Sequence, residues 1–95
     1  MSRFTLSHAA ENDLSEIWWY TARTWGEAQA NLYTGDLNAA FQNLASGGSS
    51  GRAYHGREGY YRYTVARHVI FFKEGDEGII VMRILHQRMD VNSRL

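Results

Sequence analysis

The spacing of apolar positions changes near the middle of the chain, and that change separates two kinds of element. Ala10, Leu14, Ile17, Trp18 and Thr21 fall at i, i+4, i+7, i+8 and i+11. This predicts a helix over about 8–24 that buries one stripe. Ser7 offers a hydroxyl N-cap, and Glu11 and Asp13 lie near the positive end of the helix. Trp25-Gly26 punctuates the pattern, since glycine readily supplies a C-terminal cap. A second set follows at Ala30, Tyr33, Leu37, Ala40, Phe41 and Leu44, predicting a helix over roughly 26–46. Gly35 inside it costs about 1 kcal/mol relative to alanine. So short a connection makes the two an antiparallel helical hairpin.

Outside the helices the pattern is that of strands. Arg3-Phe4-Thr5-Leu6 alternates polar and apolar, as a short strand does. Ser46-Gly47-Gly48-Ser49-Ser50-Gly51 breaks the chain, and three runs rich in β-branched and aromatic residues follow: 60–65, 68–73 and 79–86. Ala66-Arg67 is a tight reversal between the first two, and residues 74–78 form the loop between the last two. The predicted order is strand, helix, helix, strand, strand, strand. This is a single α+β domain over 1–95, with the hairpin on one face of a mostly antiparallel sheet and the other face available for contacts. Residues 87–95 read as a polar tail with room for one helical turn.

The last strand poses a burial problem. Arg83 interrupts the run Ile79 to Leu85, and the strand ends in His86-Gln87-Arg88 instead of a glycine or proline turn. Arginine is almost never fully buried unless paired. Arg83 must therefore reach a carboxylate, an exposed sheet face or a partner.

Composition narrows the function classes. The chain of 95 residues has no cysteine, which excludes disulfides and thiolate zinc sites. The first eight residues lack the apolar segment of a signal peptide and no run approaches the length of a membrane span, so a soluble, cytoplasmic protein with no membrane partner is expected. The formal net charge is zero but unevenly spread: residues 1–47 carry two arginines against five carboxylates, a net −3, and residues 48–95 carry a net +3. Nine of the ten cations are arginine, the side chain suited to bidentate contact with carboxylate or phosphate.

Few catalytic patterns survive inspection. His8, His55, His68 and His86 show no H-x-x-x-H spacing, so neither a metal nor any other cofactor is expected. The glycines at 47, 48 and 51 lack the Lys-Ser/Thr of a phosphate loop, and there is no Gly-x-Ser-x-Gly elbow. A metal-independent nuclease needs a base, an acid and cations, and Arg62, Arg67, His68, Arg83, His86 and Arg88 are chemically sufficient. The same residues make an equally good protein-binding surface. Trp18 lies on the apolar stripe and reads as core. Trp19 and Tyr20 lie off it and Trp25 sits at the hairpin tip, positions open either to an interface or to cover from the sheet edge or tail.

Several segments together resemble one family. Residues 13–18 (Asp-Leu-Ser-Glu-Ile-Trp), 25–30 (Trp-Gly-Glu-Ala-Gln-Ala), Tyr61-Arg62-Tyr63, 67–72 (Arg-His-Val-Ile-Phe-Phe) and above all 83–90 (Arg-Ile-Leu-His-Gln-Arg-Met-Asp) are similar to the ParE branch of the RelE/ParE toxins. The resemblance implies a helical hairpin against an antiparallel sheet and the toxin of a bacterial type II toxin–antitoxin pair. It further implies a non-enzymatic inhibitor of DNA gyrase, neutralised by a ParD-like antitoxin. A toxin dimer or a toxin–antitoxin hetero-oligomer would fit, and no sequence-specific nucleic-acid binding is expected. The target-facing set is expected at Arg62, Arg67, Arg83, His86, Arg88 and Met89, with the Arg94-Leu95 tail. The antitoxin-facing set is expected at Trp19, Trp25 and Arg83, together with an exposed strand edge. RelE-like relatives instead cut messenger RNA on the ribosome, commonly with a C-terminal tyrosine. No tyrosine follows Tyr63 in this chain, and its only lysine is Lys73.

Overall fold

A computed structural model describes residues 3–95. The elements run β1 (Arg3–Leu6), α1 (His8–Trp25), α2 (Glu27–Ser46), β2 (Arg52–Ala53), β3 (Tyr61–Val65), β4 (His68–Glu74) and β5 (Gly78–His86), followed by a 3-10 turn at Val91–Ser93. One five-stranded sheet has the order β1-β5-β4-β3-β2. The predicted meander is present as antiparallel β3-β4-β5, and β1 returns to lie parallel to β5, from Arg3 opposite Gly78 to Leu6 opposite Val81. The short strand β2 falls in the segment that the sequence pattern reads as loop. Its two residues are too few to display a period-two alternation.

Ser7 joins β1 to α1 and explains why the strand stops where it does. Its N–H donates to the Val81 carbonyl at 2.9 Å and its hydroxyl donates to the Met82 carbonyl at 2.8 Å. The same oxygen accepts from the Ala10 N–H at 3.0 Å, the predicted N-cap. Met82 needs this partner because of a bulge in β5: Phe71 pairs with Arg83 and Phe72 with Val81, so Met82 has no residue opposite.

The main core lies between the hairpin and one sheet face. Leu37 and Phe41 of α2 meet Ile70 of β4 and Val81 and Ile84 of β5, all almost wholly enclosed. Burying each such side chain contributes about 1.5–3 kcal/mol. The alternation of the strands carries a second cluster to the opposite face, where Tyr60, Val69, Phe71 and Leu85 are buried and Tyr54, Met82, Val91 and Leu95 pack on them. That face is therefore not simply available, as the pattern had suggested. The 54–60 loop and the C-terminal tail cover its centre, because β4 is apolar on both sides and needs two covers.

One residue of the predicted helix stripe also changes place. Trp18 is only half-buried, with its indole N–H donating to Asn31 Oδ1 at 2.9 Å. Asp13 takes the buried position instead, beside Ala10, Ile17 and Thr21.

Candidate functional site

Asp13 is buried because the strand opposite offers it three donors. β1 ends opposite Val81 and leaves the outer edge of β5 unpaired beyond that point. The Asp13 carboxylate fills the gap, accepting the Ile84 N–H at 2.9 Å on Oδ2. Arg83 then grips the same carboxylate bidentately, Nε to Oδ2 at 2.7 Å and Nη2 to Oδ1 at 2.8 Å. The remaining guanidinium nitrogen, Nη1, donates to the Arg94 carbonyl at 2.7 Å. Donating these hydrogen bonds to Asp13 raises the Arg83 pKa, more than burial lowers it. The embedded arginine thus reaches an internal carboxylate and ties α1, β5 and the tail at one point. Arg57 holds the tail from the other side through the Leu95 carbonyl.

Beside this clamp, α1 and the ends of β4 and β5 enclose a groove of about 650 Å³. Ile17, Trp19, Tyr20 and Met89 supply its apolar surface, and His68 and His86 its polar end. Trp19 is 57% exposed and Tyr20 63%, so two large aromatic rings stand largely open at its rim.

The histidines are placed by the β3-β4-β5 register. His68 and His86 are directly opposite across β4 and β5, their rings edge to face with centroids 5.4 Å apart. His68 Nδ1 lies 2.6 Å from the Tyr33 hydroxyl of α2, which also reaches the Val65 carbonyl at 3.3 Å. Burial, reinforced by the neighbouring His86 and opposed weakly by Asp13, pushes the His68 pKa down to about 4. Burial likewise raises the Tyr33 pKa. His86 Nδ1 accepts the Arg88 N–H at 3.2 Å.

The residues singled out from sequence separate into three places. Arg67, His86, Arg88 and Met89 gather at one end of the sheet, where the Gln87 N–H donates to the Arg67 carbonyl at 2.8 Å. Arg83 is held in the clamp. Arg62 shares a cross-strand row with Phe71 and Arg83 but points with the second cluster, away from the helices. Trp19 lines the groove, whereas Trp25 stands at the hairpin tip, 73% exposed. Asp13, Tyr33 and Arg52 were not among the expected site residues. Asp13 had a signal, since a carboxylate three residues after Ala10 and four before Ile17 falls on the buried stripe and demands a cation. Tyr33 lay on the stripe of the second helix, but its meeting with His68 and the placing of Arg52 opposite Arg62 depend on the tertiary register and had no local signal.

Among the described residues no group of three or more metal-ligating acidic, histidine or cysteine side chains converges, and no helix is long and apolar enough to cross a membrane. A helical hairpin on one face of a sheet with a parallel edge strand is the fold of the RelE/ParE toxins. The structure is similar to that of the chromosomal ParDE toxin–antitoxin system from P. aeruginosa, with TM-score 0.78, 19% identity, and coverage of 90% of this chain and 96% of that one. It is also similar to the RelB-RelE antitoxin-toxin complex from Methanococcus jannaschii, with TM-score 0.61, 16% identity, and coverage of 88% and 91%.

Sequence then separates the two branches. Residues 4–91 match the family described as ParE toxin of type II toxin-antitoxin system, parDE. The chain is 42% identical over 96 residues to Toxin ParE1 of Mycobacterium tuberculosis, covering 99% of this chain and 98% of the relative. It is 33% identical to Toxin ParE1 of Caulobacter vibrioides over 100% and 99% of the two chains, and 35% identical to Toxin ParE of Escherichia coli over 100% and 94%. The chain belongs to the ParE toxin family of type II toxin–antitoxin systems.

Proposed function

We propose that this toxin inhibits DNA gyrase by binding it, without catalysis, and that a ParD-like antitoxin neutralises it by occupying the groove beside α1. The observation that carries the non-enzymatic reading is the state of the would-be catalytic groups. An acid–base pair working near neutrality needs a group with a pKa close to the working pH. His68 is held neutral by burial, with its pKa near 4, and Arg83 is committed on every side to Asp13 and the Arg94 carbonyl. What remains outside is a contact surface: Arg67, Arg88 and Met89 beside His86 at the open end of β5, with the exposed Arg94 nearby in the tail.

The antitoxin reading rests on the groove itself. Trp19 and Tyr20 offer the large amphipathic rings that dominate protein interfaces, and Met89 offers an adaptable floor. A flexible amphipathic segment that folds on binding would cover them. Both structural relatives described above carry antitoxin partners by name, which supports an antitoxin as the partner of this chain.

A supercoiling assay with purified gyrase, run beside a ribosome-dependent RNA cleavage assay, tests the proposal. Inhibited supercoiling with intact RNA is the expected result. RNA cleavage without any effect on gyrase would replace it with the RelE-type endonuclease reading.

A further inference from the structure

The register places Arg52 of β2 directly opposite Arg62 of β3. Directly opposed residues bring their Cβ atoms to about 5 Å, and like charges there destabilise a sheet. Neither residue gains an internal anion: the ion pairs among the described residues are Arg3 with Glu77 and Arg83 with Asp13. Both side chains are exposed. Arg62 pairs with Phe71 of the second cluster, so the two arginines lie on the face turned away from the helices.

Two more cations extend the patch. The Arg57 guanidinium and the Lys73 ammonium both lie over the ring of Tyr60, at 5.0 and 5.5 Å from its centroid. Tyr60 belongs to the same buried cluster. Glu58 is the nearby acid in the 54–60 loop. The hairpin has the opposite character, with Glu11, Asp13, Glu16, Glu27 and Asp36 against Arg23. Half of the cations of residues 48–95, namely Arg52, Arg57, Arg62 and Lys73, thus lie on this one face.

We propose that this basic face, centred on Arg52 and Arg62, binds the phosphodiester backbone of duplex DNA without sequence preference. An acidic peptide suits it less well. β2 exposes only a two-residue edge for a peptide to extend, and the grooves beside α1 and between α2 and β1 lie elsewhere. Single-stranded nucleic acid suits it less well too, because such strands are held by bases stacked on exposed aromatic rings. Of the rings on this face, Tyr60 and Phe71 are 7% and 1% exposed and Tyr54 is half-buried, packed edge-on against Phe71, while Tyr61 and Tyr63 pack towards the helices. What is left is backbone neutralisation by arginine, the sequence-independent mode of duplex binding. The inference stands independently of the gyrase reading, since it is read without that enzyme.

Fluorescence anisotropy of a labelled duplex of about 20 base pairs, titrated with the full chain at several salt concentrations, tests it. Engaging Arg52, Arg62 and Lys73, with Arg57 already bonded to the Leu95 carbonyl, predicts that log K falls with log salt at a slope of about −3. The exposed double variant R52Q/R62Q is expected to weaken binding at least tenfold at about 50 mM salt. The control Q29E/N38D changes net charge equally on the hairpin and is expected to bind within about twofold of the native chain, because distant exposed charges are screened. Equal losses in both variants, no binding at low salt, or tighter binding of a single-stranded RNA or a polyglutamate peptide would each overturn the proposal. If circular dichroism shows R52Q/R62Q unfolded, the salt slope and ligand preference of the native chain decide alone.

Discussion

Asp13 and Arg83, 70 residues apart in sequence, join α1 to β5 through parallel hydrogen bonds of 2.7 and 2.8 Å, and the same carboxylate completes the strand edge at Ile84. The pair does structural work that no apolar contact at that edge could do, because the Ile84 N–H would otherwise lack a partner. Removing one member leaves the other charge in a site largely closed to water. Asp13→Ala is expected to cost about 3 kcal/mol, read from the urea midpoint at unchanged m-value. Arg83→Met should be milder, since the carboxylate retains the Ile84 N–H and the methionine stem keeps packing. Equal losses from the two variants would show that the edge hydrogen bond carries no special weight.

The lowered pKa of His68 predicts acid sensitivity. In the folded chain it accepts a proton only near pH 4, whereas its ordinary value is 6.5. Above 6.5 the imidazole is neutral in both states and its effect on stability does not vary. As pH falls from 6.5 towards 4 the unfolded chain takes up a proton that the folded chain refuses, so stability falls across that window and levels off below it. Denaturant unfolding at pH 7 and pH 4.5 should show the loss, and His68→Gln should shrink it while keeping a side chain able to meet Tyr33. An undiminished loss in that variant would assign the acid sensitivity to other groups.

Two glycines are expected to respond in opposite directions to alanine. A Cβ on Gly78 would lie 1.7 Å from the Arg3 carbonyl oxygen, because β1 runs close against the start of β5. Gly78→Ala must displace the edge strand, and thermal unfolding should show a large loss. Gly35 lies on the exposed side of α2 with nothing within 4 Å of the added carbon. Gly35→Ala is expected to stabilise by about 1 kcal/mol, the difference in helix propensity. A destabilised Gly35→Ala would point to a role for the bare backbone at that position.

The elements most legible in the sequence were those whose period is long enough to repeat. Both helices and the β3-β4-β5 meander follow from spacing, and Ser7 was readable as a cap because its hydroxyl precedes a helical stripe. β2 and the parallel course of β1 were not, since two or four residues carry no information about which neighbour they pair with. The problem posed by Arg83 was visible, and its solution was half visible in Asp13 on the buried stripe. The pairing of Arg52 with Arg62 depends on the β2–β3 register, and that of His68 with His86 on a β4–β5 register shifted by the bulge at Met82; no local pattern encodes either.

The groove and the open end of β5 are adjacent but should be separable by mutation. Trp19 lies on α1 with its ring edge against Trp18 at 5.0 Å and contributes little to the core, so Trp19→Ala should leave the fold intact. Loss of so large an exposed ring from an interface typically costs 2 kcal/mol or more, about thirtyfold in affinity. Antitoxin binding, measured by calorimetry with the cognate ParD-like protein, is expected to weaken by that factor while gyrase inhibition persists. Arg88 is exposed beyond the strand end and its side chain makes no ion pair among the described residues, so Arg88→Glu should also fold. That variant should lose gyrase inhibition more than Arg3→Glu, whose arginine sits at the opposite end of β5 beside Glu77. Reversal of Arg83 cannot serve the same purpose, because any loss of activity would be mixed with loss of the Asp13 clamp. If Arg88→Glu and Arg3→Glu reduce inhibition equally, the strand end is not the gyrase-facing surface. If Trp19→Ala abolishes inhibition and antitoxin binding together, the groove serves both partners, and the antitoxin acts by occupying the target's own site.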